Sequence, residues 1–499
     1  MSEINISLDS LNLNSIAPMA IAIIGALSII LTDIFNKNKH KSLYVFLVVL
    51  FLVFDLFTLI AYNADKRGMF DLILLDGVSI LAQIIIILSA IIFIFFAMSK
   101  LRFQEYRMAE YFALYLFVIA SFQFMVSSDS LILIFIALES SSLALYVLIA
   151  MHNKMASLEA SIKYFTMGSI GGACFVFASM LLYAVTGTLE LDGIATVITA
   201  EGFLTKDNFS NYILVLSAFC FMLVSLGFKL SLFPFHVWVP DVYQGSTSVM
   251  AGFLSIVPKM AVFIVALRFF EIFIQVDDKI INALLYTIVV LTMTIPNLIA
   301  LHQTDVKRML AYSSIANTGM AMATLVITTH QATVTLFLYW ILFAITNMGA
   351  FGMLWINRGK GFTDYTSPYH FKHFSGFVKV SPATALILGM FLFSLAGLPP
   401  FSLFWAKMYL IGSAINADQI ALAIIIVINS VIAAFYYLRP VGAMFLKDPD
   451  EFTKKEFMQN ATNVTRSIIA LVVILSIISI LLIEPLLGII EHYLKDSLF

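Results

Sequence analysis

Long apolar runs separated by short polar segments dominate the chain. A transmembrane helix needs about 20 consecutive apolar residues, because the hydrocarbon core of a bilayer is about 30 Å thick. By this criterion the pattern predicts about fourteen membrane-spanning helices, at 16–35, 42–62, 77–98, 110–127, 129–151, 160–186, 212–235, 247–271, 280–301, 308–328, 332–356, 382–413, 419–446 and 464–490. The predicted loops are mostly short, so we expect an all-α fold with one packed transmembrane domain over residues 1–499.

The composition supports a membrane protein and excludes several other classes. Hydrophobic residues make up 61% of the 499 positions and charged residues only 12%, with a mean hydropathy of +0.99; soluble domains carry about 25% charged residues. The net charge of −2 offers no basic surface for nucleic acid. Cys174 and Cys220 lie far apart in apolar segments, so no disulfide framework and no metal or iron–sulfur spacing is available. We therefore expect no cofactor in this chain.

Basic residues are shared unevenly between the predicted loops. With the N-terminus outside, the inner segments hold Lys37, Lys39, Lys41, Lys100, Arg102, Arg107, Lys154, Lys163, Lys307, Arg308, Arg358, Lys360, Lys372, Lys379, Arg439, Lys447, Lys454, Lys455 and Arg466. The outer segments hold Lys66, Arg67, Lys206, Arg268, Lys279 and Lys495. Cytoplasmic loops are enriched in lysine and arginine, so this bias of about three to one predicts that both termini lie outside. We expect the membrane to be a bacterial cytoplasmic (inner) membrane.

The remaining three lysines, Lys229, Lys259 and Lys407, lie inside predicted helices. An ionisable group at the bilayer centre costs about 2.5–3.5 kcal/mol, so it persists only with partners, water or a function. For Lys229 and Lys407 the plain alternative is that the side chain reaches the membrane surface. Lys259 is centred in its helix, so its side chain reaches either end less easily and the same alternative is weaker for it.

Prolines interrupt two predicted helices beside these lysines. Pro234 and Pro240 follow Lys229, and Pro399 and Pro400 lie shortly before the third lysine. Irregular backbone at membrane depth is tolerated inside protein or beside water, as in ion-translocating proteins. The second interrupted helix comes five helices after the first, which predicts two inverted five-helix repeats. The predicted units are residues 1–109 (helices 1 to 3), 110–272 (helices 4 to 8), 279–447 (helices 9 to 13) and 463–499 (the last helix).

Glu139 lies near the middle of the fifth predicted helix, followed by three serines at 140–142 whose hydroxyls can bond water or the carboxylate. A contact carboxyl between helices is the plain alternative. The functional hypothesis is that Glu139 sets the charge state of Lys229, because burial disfavours a lysine's charge and a carboxylate favours it. At a distance of about 7 Å and an effective dielectric near 20, the attraction is about 2.4 kcal/mol. Movement of the carboxylate would then let the lysine bind and release a proton.

Other polar residues are weaker candidates. His236 lies beside the first interruption and could relay a proton, since imidazole titrates near neutral pH, or it could only cap backbone groups. Lys163, at the inner start of the sixth helix, can reach the membrane surface. Asp241 is expected to order the loop after the interruption. Asp55, in the second predicted helix, lies outside the proposed repeats, and a packing role fits it as well as a functional one.

Three ordered stretches carry a resemblance to a known family. They are GFKLSLFPFHVWVPDVYQG followed by SIVPKMAVF, QTDVKRMLAYSSIANTGMAM at 303–322, and LAGLPPFSLFWAKMYL at 395–410. They resemble the antiporter-like subunits of proton-translocating NADH-quinone oxidoreductase, respiratory complex I. The form PFHVWVPDVYQG is more similar to the N-type members of that family than to the L and M types. The resemblance covers most of helices 4 to 13.

The resemblance implies an inverted-repeat bundle that moves protons while partner subunits, which hold FMN and iron–sulfur clusters, oxidise NADH and reduce quinone. It implies that Glu139 and Lys229 form a charge pair, that Lys259 is a central relay, and that Lys407 serves the second half-channel. Membrane-arm subunits of the M and K types would be neighbours. Many relatives carry histidine where this chain has Asn317, which cannot change charge, so the link between Lys259 and Lys407 would need bound water there.

Three other functions stay open on the sequence alone. Related subunits occur in multisubunit cation/proton antiporters and membrane-bound hydrogenases. A stand-alone solute transporter is a second alternative, although a solute site would cluster polar and aromatic residues at one depth, whereas the interior charges here are spread over several helices. A passive scaffold, which would tolerate loss of the interior lysines, is the third.

Overall fold

A computed structural model of the protein describes residues 12–35, 40–61, 66–100, 105–200, 203, 209–276, 278–357, 369–449 and 460–495. Some basic residues used to predict the orientation lie outside the described residues, namely Lys37, Lys39, Arg102, Lys206, Arg358, Lys360, Lys454 and Lys455.

The described part of the chain is mainly helical, as its hydrophobic pattern predicts. The helices of the first half are α1 (Ala17–Phe35), α2 (Lys41–Ala61), α3 (Gly77–Phe95), α4 (Ala109–Val126), α5 (Leu131–Ala150), α6 (Met155–Thr186), α7 (Leu191–Ile198), α8 (Phe209–Leu230), α9 (Trp238–Gly245) and α10 (Ser248–Gln275). Those of the second half are α11 (Lys279–Ala300), α12 (Val306–Ile327), α13 (His330–Ile356), α14 (Phe377–Val380), α15 (Pro382–Ala396), α16 (Ser402–Asn416), α17 (Ile420–Leu446), α18 (Asn463–Leu481) and α19 (Ile483–Leu494). A short antiparallel hairpin, β1 (Lys66–Gly68) and β2 (Ile73–Leu75), was not predicted.

Within the described residues, thirteen helices are long and apolar enough to cross a membrane. They correspond to thirteen of the predicted spans. The remaining predicted span, 382–413, is divided into the shorter helices α15 and α16. The predicted all-α membrane fold of about fourteen crossing segments is therefore confirmed.

Several predicted boundaries are wrong. The helix predicted at 212–235 ends five residues earlier, at Leu230, because Ser231 adopts a left-handed conformation with φ of 60°. Pro240 does not interrupt a helix: it lies in the first turn of α9, where the missing N–H removes no helical hydrogen bond. Asp241 lies in the same short helix rather than in a loop. The span predicted at 464–490 is divided at Leu482 into α18 and α19.

Helix α10 is the centre of the bundle. The most apolar stretch of α10 is completely buried. The helix packs against α3, α4, α8, α12 and α13. A helix that is apolar on all sides is stable only when other helices surround it. Pro258 lies inside α10, and the helix continues through it, so Lys259 is held on a continuous element.

The connecting segments lie at two ends of the bundle. At one end Ile73 of the hairpin pairs with Ser128, and Ser130 pairs with Glu190 just before α7; we call this the hairpin end. At the other, the opposite end, Lys41 donates hydrogen bonds to the carbonyl oxygens of residues 97 and 99. The basic residues of the predicted inner segments, where the structure describes them, lie at or near the opposite end of the bundle.

Candidate functional site

The interruption after α8 places Lys229 in the last turn of a helix inside the bundle. Beyond Leu230 the chain turns away, and the N–H of Leu232 donates to the carbonyl oxygen of Gly227 at 2.7 Å. The indole N–H of Trp238 donates to the carbonyl oxygen of Phe228 at 3.0 Å. These bonds satisfy carbonyls that the end of a helix leaves free. The interruption is therefore stabilised by specific hydrogen bonds, and Lys229 lies next to it.

Lys229 and Glu139 lie together, as the sequence predicts. The Nζ of Lys229 is 3.9 Å from Oε1 of Glu139, and it donates a hydrogen bond of 2.6 Å to the hydroxyl of Ser142. Ser141 and Ser142 direct their own hydroxyl hydrogens to the carbonyl oxygen of Leu138, not to the carboxylate. The charge separation is shorter than the 7 Å assumed above, so the attraction at an effective dielectric near 20 is about 4 kcal/mol.

The side chain of Glu139 is less enclosed than that of Lys229. The Glu139 side chain is 26% exposed, whereas that of Lys229 is 4% exposed. Gly172 of α6 lies against Glu139, and a Cβ atom there would approach Oε1 to 2.7 Å. The absence of a side chain at position 172 therefore makes room for the carboxylate.

Lys259 is held by uncharged groups of α12. Its Nζ donates to the carbonyl and hydroxyl oxygens of Ser314, at 3.1 and 3.0 Å, and to the hydroxyl of Thr318 at 3.0 Å. Residues four apart share one face of a helix, so the two hydroxyls face the same lysine. No carboxylate in the described ranges forms an ion pair with Lys259.

Asn317 is part of a row of polar side chains next to Lys259. Its amide donates to the carbonyl oxygen of Ser313 at 2.9 Å, and the hydroxyl of Tyr339 donates to its Oδ1 at 2.6 Å. The hydroxyl of Ser313 also bonds that of Tyr437. The row joins α12 to α13 and α17. Side chains can therefore provide polar contacts around Asn317, where the sequence predicts a need for bound water.

Lys407 lies over the interruption between α15 and α16. Its Nζ donates to the carbonyl oxygens of Ala396 and Leu395 at 3.3 and 3.4 Å. These carbonyls end α15, where the helix dipole is negative and a cation is stabilised. Gly397, with φ of 76°, allows this arrangement, because a Cβ atom there would lie 2.8 Å from the lysine Nζ.

His236 lies in the segment that joins α8 to α9. Its side chain is buried, and its ring is 5.5 Å from the ring of Phe233. Its Nδ1 atom has no hydrogen-bond partner among the described residues. The relay role of His236 stays a prediction. The Nδ1 atom is able to take part in such a relay.

Lys163 belongs to a separate cluster at the opposite end. Its Nζ lies 2.8 Å from Glu159 and 2.9 Å from Asp241, and Arg308 lies 2.9 Å from the other oxygen of Asp241. Burial acts to raise the pKa of Asp241, but the hydrogen bonds from Lys163 and Arg308 outweigh it and hold the pKa below its usual range. This cluster ties α6, α9 and α12 together, and the structure does not bring Lys163 to the Glu139 pair.

The structure thus brings together two of the four main candidates, Glu139 and Lys229. No hydrogen bond or ion pair between described residues directly joins Lys229, Lys259 and Lys407. Sequence reasoning missed the hydroxyl ligands of Lys259. The signal for them was present as two hydroxyl residues four positions apart, at 314 and 318, in a predicted membrane-spanning helix. In the described ranges no group of three or more His, Cys, Asp or Glu side chains could hold a metal ion.

Buried lysines at interrupted transmembrane helices are typical of membrane proteins that move ions. The fold and site therefore define a polytopic membrane protein of that class. The family described as "NADH:quinone oxidoreductase/Mrp antiporter, TM" matches residues 128–433, and the chain belongs to this family.

Individual relatives agree with this assignment. The chain is 47% identical over 505 residues to NADH-quinone oxidoreductase subunit N of Sulfurimonas denitrificans, covering 100% of this chain and 99% of the relative. It is 27% identical to a chain of respiratory complex I from Thermus thermophilus, with a TM-score of 0.78 and coverage of 94% and 98%. It shares its fold with a chain of the Mrp complex from Dietzia sp. DQ12-45-1b, at 19% identity, a TM-score of 0.78 and coverage of 97% and 98%. The predicted resemblance to N-type subunits is confirmed.

Proposed function

We propose that the chain is a proton-translocating membrane-arm subunit of the N type in NADH-quinone oxidoreductase, and that Glu139, Lys229, Lys259 and Lys407 carry the protons. The observation that carries the proposal is the Glu139–Lys229 pair, 3.9 Å apart, at an interrupted helix inside the bundle. Redox chemistry takes place in partner subunits, which hold the NADH, FMN, iron–sulfur and quinone sites, and this chain contributes no redox centre.

The proposed mechanism is electrostatic. A conformational change in a neighbouring subunit, driven by quinone reduction, moves Glu139 relative to Lys229. An increase in separation from about 4 Å to about 7 Å weakens the attraction from about 4 to about 2.4 kcal/mol. A change of this size alters a protonation equilibrium more than tenfold. Lys229 then releases its proton toward the centre of the bundle.

Lys259 and Lys407 are proposed to receive and pass on the proton. Hydroxyl and carbonyl oxygens accept the N–H bonds of both lysines without supplying a full negative charge. Either lysine can therefore lose its proton without leaving a buried anion unpaired. The Ser313–Asn317–Tyr339 row is the proposed polar link from the surroundings of Lys259 toward the second half of the bundle. His236 and Lys163 are secondary members, in proton relay and in access from the opposite end.

The two inverted repeats, 110–272 and 279–447, are part of the proposal. Each contains an interrupted helix with a buried lysine, Lys229 at the end of α8 and Lys407 in α16. The first interrupted helix runs from the hairpin end and the second runs toward it, which is the relation that an inverted repeat requires. Residues 1–109 and 463–499 flank the pair.

The partial exposure of Glu139 supports the proposal that other subunits contact this chain. The side chain of Glu139 is 26% exposed near the middle of a transmembrane helix, although its Oε1 atom is buried. An acidic side chain that faces lipid at this depth has a high free-energy cost unless another chain covers it. We propose that membrane-arm subunits of the M and K types flank this chain in a bacterial cytoplasmic membrane. The hairpin end, which carries few basic residues, would face outward.

The test replaces the central lysines in the assembled complex. Lys229→Ala and Lys259→Ala complexes, reconstituted into vesicles, are expected to acidify the lumen several-fold less per NADH oxidised than the unmodified complex. Lys279→Ala is the control, because Lys279 is exposed at the hairpin end. Undiminished acidification per NADH in both lysine variants would remove the proposal.

A further inference from the structure

Asp55 is a buried acid that the proposed lysine row does not use. It lies on α2, outside the proposed repeats, and its side chain is 0% exposed. The Nε2 of Gln123, on α4, lies 3.0 and 2.9 Å from the two carboxyl oxygens of Asp55. The acid is therefore enclosed between α2 and α4.

A row of polar side chains leads away from Asp55. The Nε2 of Gln123 also lies 3.2 Å from Oε1 of Gln83 on α3, and the Nε2 of Gln83 donates to the hydroxyl of Ser127 at 2.8 Å. Gln83, Gln123 and Ser127 are each 0% exposed. Ser127 follows α4 at the hairpin end, where its carbonyl oxygen accepts from the N–H of Leu74 at 2.7 Å. Three buried side chains thus connect the acid to one end of the bundle.

No cation of the part of the chain that the structure describes compensates the acid. No lysine, arginine or histidine of the described ranges forms an ion pair with Asp55. The charged residues of α1, α2 and α4 other than Asp55, namely Asp33, Lys41 and Glu110, lie near the opposite end. Lys41 is fourteen residues before Asp55, which corresponds to about 21 Å along a helix. Asp76, before α3, is bonded to Arg268 at 2.6 Å.

The chemistry of this enclosure accommodates a proton. An ionised carboxylate buried without a cation is so unfavourable that the group binds a proton instead. The O–H of the acid then needs an acceptor, and Oε1 of Gln123 has no hydrogen-bond partner among the described residues. Rotation of the Gln123 amide exchanges its donor and acceptor, because the two ends have nearly the same shape. Gln83 rotates with it, so that Nε2 of Gln83 donates to the oxygen of Gln123 and Oε1 of Gln83 accepts from the Ser127 hydroxyl. Gln123 can therefore bond both the charged and the neutral carboxyl.

We propose that Asp55 is a proton-binding site, separate from the lysine row, that exchanges its proton with the hairpin end along the polar path that Gln123, Gln83 and Ser127 line. A purely structural acid would need the bond to Gln123 but not the continuation through α3 to Ser127. Among the described residues no hydrogen bond joins the row of Asp55 to Lys229, Lys259 or Lys407, so we treat its proton exchange as independent of theirs.

The first test measures the proton on Asp55 by infrared spectroscopy of the purified complex. The unmodified complex is expected to show a carbonyl stretch of a protonated carboxylic acid that Asp55→Asn removes. Asparagine keeps the shape and accepts the bond from Gln123, so the helices should remain in place. Asp55→Glu is the second variant, expected to shift the band rather than remove it. A spectrum unchanged by Asp55→Asn would overturn the proposal.

The second test measures access to the acid after transfer into D2O. The band of Asp55 is expected to shift at least about tenfold more slowly in Gln83→Leu, because leucine breaks the polar row while a bond of this kind contributes only about 1 kcal/mol to stability. Ser89→Ala is the matched control on α3, since Ser89 is buried outside the row. Equal exchange rates in Gln83→Leu and the unmodified complex would overturn the proposed route. Neither readout involves acidification, so failure here is distinguishable from failure of the lysine proposal.

Discussion

At the residue scale, the three candidate lysines are bound mainly by uncharged oxygens. Lys259 donates to Ser314 and Thr318, and Lys407 donates to two backbone carbonyls. Lys229 alone has a carboxylate, and even there the shorter contact is to Ser142. Such ligands satisfy the ammonium hydrogens, whose burial without partners is costly. They do so without the strong attraction of a close ion pair, which would hold the proton in place.

Gly172→Ala tests the position of Glu139. A Cβ atom at this position would lie 2.7 Å from the carboxylate oxygen, so the flexible end of Glu139 must move. We expect normal assembly, because only the end of a side chain shifts, together with several-fold lower acidification per NADH, because the separation from Lys229 changes. Acidification in vesicles measures the effect. Gly412→Ala is the control, since no atom lies within 4 Å of the added Cβ; equal losses in both variants would contradict the prediction.

At the scale of the elements, the interruptions matter more than the helices. The interruption between α15 and α16 exposes the last carbonyls of α15 to Lys407, and a continuous helix would use those carbonyls in its own hydrogen bonds. Around the same interruption, hydroxyls of Thr346, Ser394 and Ser402 lie 3.1 to 3.3 Å apart. The interruption thus brings together a cluster of hydroxyls that neither half-helix contains alone.

Gly397→Ala tests this interruption. The position has φ of 76°, where an L-residue with a Cβ costs about 1–2 kcal/mol, and the new atom would lie 2.8 Å from Nζ of Lys407. We expect reduced acidification with a smaller loss of NADH oxidation, since the redox sites are proposed to lie elsewhere. Gly442→Ala, where the added Cβ meets no atom within 4 Å, should behave like the unmodified complex. Full acidification in Gly397→Ala would show that the lysine is not needed in this position.

At the scale of the whole molecule, the described part of the bundle encloses a central helix, while part of its outer surface is suited to a protein neighbour. Helix α10 is surrounded, whereas the outer faces of α5 and α6 expose large apolar side chains such as Ile136, Leu143 and Ile170. Lipid can cover apolar side chains. It cannot cover the exposed part of Glu139 at the same depth without a large cost. The surface around Glu139 therefore fits a protein neighbour.

Cys174 reports on that neighbour. It is partly exposed on α6, two residues after Gly172. In a Cys220→Ala background, a membrane-permeant maleimide is expected to label Cys174 at least several-fold more slowly in the assembled complex than in the isolated chain in the same detergent. Labelling at equal rates would argue that no subunit covers this part of α6.

Exposed lysines at the two ends test the orientation. Lys279 lies at the hairpin end and Lys372 at the opposite end. In a chain without its native cysteines, we expect a membrane-impermeant maleimide added to intact cells to label Lys279→Cys but not Lys372→Cys, because cytoplasmic loops carry the excess of basic residues. Inverted membranes should give the reverse pattern. Labelling of Lys372→Cys in intact cells would invert the proposed orientation.

The sequence by itself determined the class of fold and the main chemical candidates. Apolar runs long enough to cross a bilayer leave little choice of structure, because the hydrocarbon core requires every backbone group to be bonded within a helix or a closed barrel. A charge inside such a run is costly and therefore conspicuous, and Glu139, Lys229, Lys259 and Lys407 were found in this way. The three ordered stretches then indicated the family, which the comparisons confirmed.

Only the tertiary structure decided which groups meet. Ser142 and Lys229 are 87 residues apart in sequence, and their 2.6 Å contact depends on how α5 and α8 both pack against α6. The ligands of Lys259 come from α12, and the polar row of Asp55 is assembled from α2, α3 and α4. Hydropathy records how deep a residue lies but not which way it faces around its helix axis. Helix packing sets that direction. The sequence therefore determines which residues lie within the membrane, and the tertiary structure determines which of them contact each other.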